Sequence, residues 1–539
     1  MQRFKLQWPS CRRATSLLAP RFSKICSRAN HANGRAWRNL GMAELRIKQL
    51  DRSAAAYTRA LELEPQMPTP LFQMAIVSAL KNDTAAAFEW LSKAKASRKV
   101  DMTQMDVTPE LAPLKSDPRY AGLLPTRKDF EDPFVEPVTI LHEWDGEAPH
   151  DQFGWIARNI GDVDGDGVPD FVTSAPTSSA AGKGAGRIYV YSTRSGKLLW
   201  KADGQAGDEL GTGIEAAGDT NADGIPDVIA SAPGGGYARI YSGRDGRVLR
   251  TYKAESADDD FGRHVAGIGD VNGDGYADVL VGAPNHSEKT GRAYVYSGKD
   301  GSVLLTLNGE HPGDQFGSAV GGYSDKRHIR FITGAPTAGP NHTGRVYVYD
   351  RLSTAPKFTI DADETGAALG AMFLSVLGDV DGDGVPDVYA SDWSNYAKGQ
   401  STGRVYVHSG KDGHRLFALT GETPGESFGT SSSVAGDVDG DGHADLIVGS
   451  WQYAGAATSG GRASLYSGAD GRLLRTYTCR IPGDTFGFDA VSLGDVKGDG
   501  MSAFLITSGW SGVSGYHSGR IFLISSGIER KPSTKKVTH

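Results

Sequence analysis

Five short acidic segments with a central glycine recur along the chain. They run from Asp162 to Asp170, Asp219 to Asp227, Asp270 to Asp278, Asp379 to Asp387 and Asp437 to Asp445. Each has Asp or Asn at positions 1, 3, 5 and 9 and Gly at position 6. Oxygen donors at alternating positions converge on one cation where the backbone turns sharply, and glycine permits that turn. The pattern predicts a repeat architecture with a calcium-binding loop in five of its units.

The predicted ligands are the side chains at positions 1, 3, 5 and 9 and the backbone carbonyl of position 7. In chain order they are Asp162, Asp164, Asp166, Val168, Asp170, Asp219, Asn221, Asp223, Ile225, Asp227, Asp270, Asn272, Asp274, Tyr276, Asp278, Asp379, Asp381, Asp383, Val385, Asp387, Asp437, Asp439, Asp441, His443 and Asp445. We expect about five calcium ions, one per loop. Because His443 contributes its carbonyl, its side chain is expected to face solvent. No Glu follows at position 12 and the flanks are β-like, so these loops differ from EF-hands.

Each loop belongs to a longer unit that begins with Phe-Gly or Leu-Gly. These pairs are Phe153-Gly154, Leu210-Gly211, Phe261-Gly262, Phe316-Gly317, Leu369-Gly370, Phe428-Gly429 and Phe486-Gly487. After the loop come a buried strand ending in Gly-Ala-Pro, a strand such as 344–349, a turn such as 297–301 and a strand such as 303–307. Four strands at a period of roughly fifty-five residues are typical of a propeller blade.

The combined Phe-Gly, acidic-loop and Gly-Ala-Pro pattern resembles the FG-GAP repeat of integrin alpha-subunit propellers and of bacterial FG-GAP proteins. The resemblance covers about residues 137–527. It implies a seven-bladed β-propeller with four-stranded blades that binds partners on the face opposite its calcium loops. We therefore expect a multidomain, mainly β protein with a small α-helical repeat domain at its N-terminus.

The sequence also predicts how the ring closes. The last repeat ends at 519–525 without a fourth strand, and 138–144 precedes the first Phe-Gly pair as a strand without a blade. Pairing these two segments removes an exposed sheet edge. The propeller is accordingly expected to span 138–527, closed by the N-terminal strand 138–144.

Two repeats depart from the loop pattern. In the fourth, Asp325 is followed by the shortened basic segment 326–328. In the seventh, Lys497 and Ala503 replace the ligands at positions 3 and 9, while Asp495 remains at position 1. We predict no calcium in either.

The segment 34–65 resembles a tetratricopeptide repeat, which is a helix–turn–helix unit. The residues that carry the resemblance are Trp37, Leu40, Gly41, Tyr57, Ala60 and Pro65, while Glu44 stands in place of the usual tyrosine. A shift by the repeat's period brings up Leu71, Ala75, Ala87, Leu91 and Ala94. Helical repeats are thus expected over 34–124, with a capping helix at 108–124 and a linker at 125–137.

The two ends of the chain are basic. Residues 1–43 contain nine Lys or Arg and no acid, and they lack the apolar core of a secretory signal. For 1–33, a transit-like segment, a disordered basic arm and upstream sequence from a wrong start all remain open. Residues 528–539 form a basic tail, and nothing downstream of the leader is long and apolar enough to span a bilayer.

Charge and cysteine content limit the function classes. The net charge is −7 and the acids concentrate in the loops, which disfavours nucleic acid as a partner. Three cysteines give no disulfide framework, so calcium is expected to stabilise the fold. Weak loops fill at roughly 0.1–1 mM calcium, which is typical of extracellular modules and favours a secreted, periplasmic or cell-surface location.

No catalytic residue is predicted. The sequence has no Gly-x-Ser-x-Gly elbow, phosphate-cradling glycine loop or His-Glu-x-x-His motif, and its histidines share no spacing. Acid pairs that would suit a glycosidase are explained as metal ligands.

A candidate partner surface lies after the second strand of the last three repeats. Repeats one to four have Pro176, Pro233, Pro284 and Pro336 there, whereas the later repeats carry Trp393, Tyr396, Trp451, Tyr453, Trp510 and Tyr516. Exposed aromatics stack on a sugar or anchor a protein, while buried ones pack between blades. Both interpretations remain open.

These observations predict a calcium-binding propeller that acts as a protein- or glycan-binding adhesion module, with the helical repeats making a further protein contact. The alternatives are an enzyme or enzyme accessory, in which propellers accompany hydrolases, and a purely structural assembly scaffold. Titratable residues with perturbed pKa values around the central channel would favour the enzyme. An exposed aromatic surface would favour the binding module.

Overall fold

A computed structural model describes residues 33–325, 327–431 and 434–530. The chain divides into two compact units, residues 1–131 and 132–539. The predictions made for the basic leader and tail fall almost wholly on 1–32 and 531–539, outside the described residues.

The first unit is helical. Its α-helices are α1 (Gly34–Arg46), α2 (Leu50–Leu63), α3 (Pro68–Leu80), α4 (Thr84–Ser97) and α5 (Pro118–Leu123). Three 3-10 helices follow α4 or α5, at Met102–Val107, Pro109–Leu114 and Arg127–Phe130. The single capping helix expected at 108–124 was wrong, because prolines at 109, 113 and 118 interrupt an α-helical hydrogen-bond pattern.

The helices pack as two pairs, α1 with α2 and α3 with α4. Gly41 allows the first pair to approach closely, since an added Cβ would lie 2.6 Å from the Tyr57 ring. The Ser53 hydroxyl donates a hydrogen bond of 2.8 Å to the Gly41 carbonyl at the same crossing. This arrangement is consistent with the helical-repeat interpretation.

The second unit is a seven-bladed β-propeller. Its strands are β1 (Ile140–Asp145), β2 (Ala157–Gly161), β3 (Asp170–Ala175), β4 (Arg187–Tyr191), β5 (Leu198–Asp203), β6 (Ile214–Gly218), β7 (Asp227–Ala232), β8 (Tyr237–Tyr241), β9 (Val248–Lys253), β10 (Val265–Gly269), β11 (Asp278–Ala283), β12 (Arg292–Tyr296), β13 (Val303–Asn308), β14 (Val320–Ser324), β15 (Ile329–Ala335), β16 (Arg345–Asp350), β17 (Phe358–Asp361), β18 (Leu374–Val376), β19 (Val388–Asp392), β20 (Arg404–His408), β21 (Arg415–Thr420), β22 (Phe428–Thr430), β23 (Val434–Gly436), β24 (Asp445–Ser450), β25 (Arg462–Tyr466), β26 (Leu473–Thr478), β27 (Ala490–Gly494), β28 (Ala503–Ser508) and β29 (Arg520–Ser525). Short helical turns at His286–Lys289 and Pro340–His342 lie in loops.

Each blade is an antiparallel sheet whose first strand lines the central axis. Blades 1 to 5 are β2–β5, β6–β9, β10–β13, β14–β17 and β18–β21, blade 6 is β22–β26, and blade 7 combines β27–β29 with β1. In blade 6 the innermost strand is split, and β22 and β23 both pair with β24. The predicted seven blades of four strands are thus confirmed, with this one split strand.

Strand β1 closes the ring. It runs antiparallel to β29, with Trp144 opposite Ile521 and Ile140 opposite Ile524. The Trp144 indole N–H donates a 3.0 Å hydrogen bond to the Gly196 carbonyl of blade 1, so the closing strand also contacts the next blade. The strand expected at 138–144 is observed at Ile140–Asp145.

The segment just before β1 also packs on the propeller, although its sequence reads as linker. Phe134 is 3% exposed. Its ring lies 5.0 Å from that of Phe486 and 5.2 Å from that of Phe522. The Val135 N–H donates to the Thr478 carbonyl at 2.9 Å. The propeller's packed residues therefore begin several positions before β1.

The Phe-Gly pairs set the spacing between blades. Phe316, which opens blade 4, is buried and forms a bridge to Gly291 of blade 3. A Cβ on Gly291 would lie 2.2 Å from the Phe316 carbonyl oxygen, and its φ is +83°. Gly291, just before the third strand of blade 3, is thus required for the close approach of Phe316 at the start of blade 4.

Candidate metal centres and ligand-binding face

The acidic loops fold around the aspartate at position 1. In the first loop, the Asp162 carboxylate accepts hydrogen bonds from the N–H groups of Gly165 at 2.7 Å and Gly167 at 2.8 Å. Both glycines have φ above +80°, a conformation that glycine adopts without a steric penalty. This local turn directs the alternating carboxylates to one side of the loop.

The aspartate at position 9 is buried and joins the loop to the next hairpin. Asp170 accepts from the N–H groups of Val163 and Thr193, each at 3.0 Å. Burial raises its pKa to about 6, against the opposing effect of these hydrogen bonds. Burial likewise raises the pKa of Asp278, Asp387 and Asp445 to about 6. A cation beside these carboxylates would offset that burial cost.

Carboxylates converge in three of the five loops. Their oxygens lie within 4.8 Å of one another in the sets Asp162–Asp164–Asp166, Asp379–Asp381–Asp387 and Asp437–Asp439–Asp445. In the other two loops Asn221 and Asn272 occupy position 3, so an amide oxygen replaces one carboxylate. All-oxygen donor sets of this kind fit a hard divalent cation such as calcium.

Basic residues from the following hairpin turn approach the loops, which sequence reasoning missed. Arg194 lies 3.3 Å from Asp166, Arg244 lies 3.8 Å from Asp223 and Lys411 lies 3.7 Å from Asp383. The signal in the sequence was the basic residue that recurs in these Ser-x-x-x-Gly turns. These side chains offset part of the negative charge of the loops.

One expectation about the loops was wrong. The His443 ring donates a 2.7 Å hydrogen bond from Nδ1 to the Val380 carbonyl of the preceding loop, so its side chain links two loops and does not simply face solvent.

The two loops that depart from the pattern keep the aspartate at position 1. In the seventh blade, Asp495 accepts hydrogen bonds from the N–H groups of Gly498 and Gly500, as the first aspartate of an intact loop does. In the fourth, Asp325 accepts from the N–H of His328, and residue 326 lies outside the described residues.

The six aromatic residues predicted as a partner surface, Trp393, Tyr396, Trp451, Tyr453, Trp510 and Tyr516, follow the second strands of blades 5 to 7. We call them the aromatic rim. Because the acidic loops precede those same strands, the rim lies on the opposite face. Trp451 and Trp510 have ring centroids 4.4 Å apart, and both contact the Phe488 ring edge-to-face. Trp393 packs into the same cluster.

The rim is neither fully exposed nor fully buried. The three tryptophans are half-buried, and Tyr396 is 54% exposed. The Trp393 indole N–H is buried and has no hydrogen-bond partner among the described residues. Each indole therefore packs against its neighbours while presenting part of its surface, which combines the two sequence-based interpretations.

The other rim residues have polar neighbours. The Arg462 guanidinium lies 3.6 Å from the Tyr453 ring and donates to its hydroxyl at 2.5 Å. Tyr516 stacks on His517 at 3.7 Å. Burial, together with the positive charge that His150 carries when protonated, lowers the pKa of His517 to about 4, so this imidazole is neutral at physiological pH.

Trp155 extends the aromatic cluster across the ring closure into blade 1, and sequence reasoning missed it. Its ring lies 4.8 Å from Phe488 and 5.9 Å from Trp510. Trp155 and Phe488 each directly follow a Phe-Gly pair, a position occupied by Thr, Arg, Ser or Ala in the other blades. That difference was the available signal.

Charged residues meet in the central channel, a cavity of about 290 Å³ lined by the innermost strands. Arg158 of blade 1 donates to Glu215 of blade 2 at 2.9 Å and also pairs with Asp489 of blade 7. His264 of blade 3 lines the same cavity. Burial, followed by the positive charges of Arg263 and Arg158, lowers its pKa to about 3. The ion pairs bridge three consecutive blades, and His264 extends the cluster to a fourth.

Among the described residues, no helix combines the length and apolarity needed to cross a membrane.

Two family models match parts of the propeller. The FG-GAP repeat family matches residues 153–191 and 261–296, and the FG-GAP-like repeat family matches residues 379–448. The structure titled "Structure of Dos1 propeller" matches with a TM-score of 0.40 at 12% identity, over 68% of this chain and 76% of that chain.

Curated relatives share parts of the propeller. Integrin alpha-V of Gallus gallus is 28% identical over 247 residues, 42% of this chain and 24% of that protein. Integrin alpha-4 of Xenopus laevis is 29% identical over 195 residues, which are 32% of this chain and 18% of that protein. Phosphatidylinositol-glycan-specific phospholipase D of Mus musculus is 35% identical over 178 residues, which are 28% of this chain and 21% of that protein. The match thus spans less than a quarter of the length of each of these relatives.

Proposed function

We propose that this chain, whose FG-GAP repeats form a seven-bladed propeller homologous in part to integrin alpha subunits, is a calcium-stabilised binding module. Its ligand is a protein or a carbohydrate that docks on the aromatic rim. The helical unit makes a further protein contact. The protein acts in a calcium-rich compartment, secreted, periplasmic or at the cell surface.

The observation that carries this proposal is the one-sided aromatic rim. Partly exposed tryptophans replace the prolines of blades 1 to 4 at the same position in blades 5 and 6 and one residue later in blade 7. A seven-fold structural requirement would place similar residues in every blade. Aromatic groups with one buried and one exposed side anchor proteins and stack on sugars.

Calcium has a separate role in this proposal. The ligands at positions 1, 3, 5, 7 and 9 leave little coordination for a partner. The loops also lie on the face opposite the rim. The ions therefore stabilise the blades, and the integrity of the rim depends on calcium only through the fold.

The test is ligand capture by the full chain, using a glycan array and a pull-down with and without about 1 mM calcium, the range in which weak loops fill. Tyr396→Ala is expected to weaken capture about tenfold or more, as loss of an exposed aromatic anchor does. Val303→Ala is the matched control, because Val303 is also 54% exposed but lies on an outer strand. Equal capture by both variants would contradict the proposal.

The channel cluster favours a second candidate, a propeller that accompanies or performs hydrolysis. Titratable residues with shifted pKa values in a cavity mark candidate active sites, and one partial relative is named as a phospholipase. A panel of generic carboxylic and phosphate esters tests this candidate. Hydrolysis that His264→Gln abolishes would support it, and no turnover of any ester would reject it.

A further inference from the structure

A groove of about 610 Å³ lies along α1 and α2 of the helical unit. Its floor is apolar, formed by Trp37, Leu40 and Ala56. Two ion-paired residues, Arg59 and Glu62, mark one edge, with 2.6 Å between their charged groups. The groove is thus an amphipathic cleft on the first helix pair.

This side of the first pair is not the one that packs on the second pair. Met42 and Leu61 pack against a cluster that contains Met74 and Val77 of α3. The groove residues lie at other helical positions, and no described helix covers them. Within the described residues, the first pair therefore presents a second face that no other helix covers.

Glu44 provides an independent sign of a ligand. It lines the groove and is only 4% exposed. Its Oε1 lies 3.5 Å from Arg52, but its Oε2 is buried without a hydrogen-bond partner among the described residues. A buried carboxylate oxygen that accepts no hydrogen bond is costly to the fold, so it requires a reason.

We propose that the groove binds a lysine-bearing segment of a partner protein, whose ammonium group donates to Glu44 Oε2. The apolar floor accommodates the methylene stem of lysine, and the ring of Trp37 adds a cation–π surface. In this proposal the buried Oε2 reaches the groove by a rotation of the Glu44 side chain while Oε1 stays near Arg52. One acceptor oxygen suits an ammonium better than a guanidinium that pairs with both oxygens. The inference rests on the proposed protein contact of the helical unit and names its chemistry.

The test is fluorescence polarisation of the full chain with fluorescein-labelled pentapeptides that carry one central lysine between leucines. Matched peptides replace the lysine with norleucine, arginine or glutamate. We expect the lysine peptide to bind at least tenfold more tightly than the norleucine peptide, as a hydrogen bond between charged groups implies. Glu44→Gln should abolish that preference. Glu62→Gln, at the edge of the same groove, should retain it.

Thermal stability supplies a second readout. Because Oε2 lacks a partner, Glu44→Gln should melt at the same temperature as the native chain or higher, but the lysine peptide should no longer raise its melting temperature. Destabilisation by Glu44→Gln would mean that Arg52 holds the carboxylate for folding, and would overturn the site.

The outcomes separate this inference from the proposed contact. If the norleucine peptide binds equally well, the contact stands and lysine recognition fails. If the arginine peptide binds more tightly than lysine, the assignment of lysine fails. If no peptide binds at millimolar concentration, both the contact at this groove and its chemistry fail.

Discussion

At the scale of single residues, removal of Arg158 should cost substantial stability. It pairs with Glu215 and Asp489 from the blades on either side. Arg158→Met leaves two carboxylates near each other with one counter-charge fewer, so we expect a loss of about 3–5 kcal/mol in the free energy of unfolding. Urea unfolding with saturating calcium measures it.

Arg244→Met is the control for that change. Arg244 lies 3.8 Å from Asp223, but its side chain is 59% exposed. Exposed pairs contribute about 0–1 kcal/mol, so this variant should remain close to the native stability. If the two substitutions cost the same, the channel cluster does not hold the blades together.

His264 should make the fold sensitive to acid. Its pKa is lowered to about 3 in the folded chain, whereas the ordinary value, expected in the unfolded chain, is 6.5. Below pH 6.5 the unfolded chain therefore gains a proton that the folded chain does not. The folded state is fully stabilised above pH 6.5, and this stability is lost as the pH falls towards 3. Between pH 6.5 and pH 5 this one residue accounts for at most about 2 kcal/mol.

The measurement is the difference in unfolding free energy between the native chain and His264→Phe, taken at pH 7 and at pH 5. Effects of acid on the calcium loops cancel in this difference, since both chains carry the same loops. The native chain should lose more stability than the variant on acidification. An identical loss in both would show that His264 takes up its proton readily in the folded state.

Contacts between residues a few positions apart could be predicted from the sequence, whereas contacts made by ring closure could not. Position 1 and position 9 of each loop follow from a local pattern of alternating oxygens. Arg158 and Asp489 are separated by 331 positions and meet only because blade 7 adjoins blade 1. No local periodicity marks such a pair.

At the scale of elements, the segment before β1 should contribute to propeller stability. Phe134 is buried against Phe486 and Phe522. Phe134→Ala removes a buried ring and should cost about 3–5 kcal/mol, the usual range for such a truncation. Calorimetric or urea unfolding of the propeller transition measures it.

The neighbouring Val135 is the matched control. It is 52% exposed, so Val135→Ala should change the stability by no more than about 0.5 kcal/mol. Similar effects from the two substitutions would show that the segment behaves as a linker, as its sequence suggested.

The closing strand was predictable because an unpaired strand at each end of the repeats leaves two complementary sheet edges. The packing of 133–137 was not predictable, because a five-residue segment with a proline at each end has no strand periodicity. The three-residue pieces β22 and β23 were also missed, because the Phe-Gly pair and the intact acidic loop of that repeat look like those of its neighbours.

At the scale of the whole molecule, the loops should bind about five calcium ions, one for each loop with a full oxygen set. Metal analysis of the purified chain measures the number. Asp379→Asn should remove one ion. Asp495→Asn, at the same position of the seventh loop, should remove none. Fewer than four ions in the native chain, or an ion lost from the Asp495 variant, would contradict the assignment.

Removal of calcium should destabilise the propeller as a whole, because the loops join the strands of five blades. Ligand that binds only the folded state stabilises by RT ln(1 + [L]/Kd), which is about 2.7 kcal/mol per site at a hundredfold excess over Kd. The basic residues beside the loops, such as Arg194 at 3.3 Å from Asp166, offset part of the repulsion in an empty loop, so the chain should still fold without calcium but melt at a lower temperature.

Melting curves with calcium and with chelator measure the shift in melting temperature. Asp379→Asn should reduce the shift and Asp495→Asn should not. An unchanged melting temperature in chelator would mean that the acidic loops are held by their own backbone hydrogen bonds and basic neighbours, with no stabilising ion.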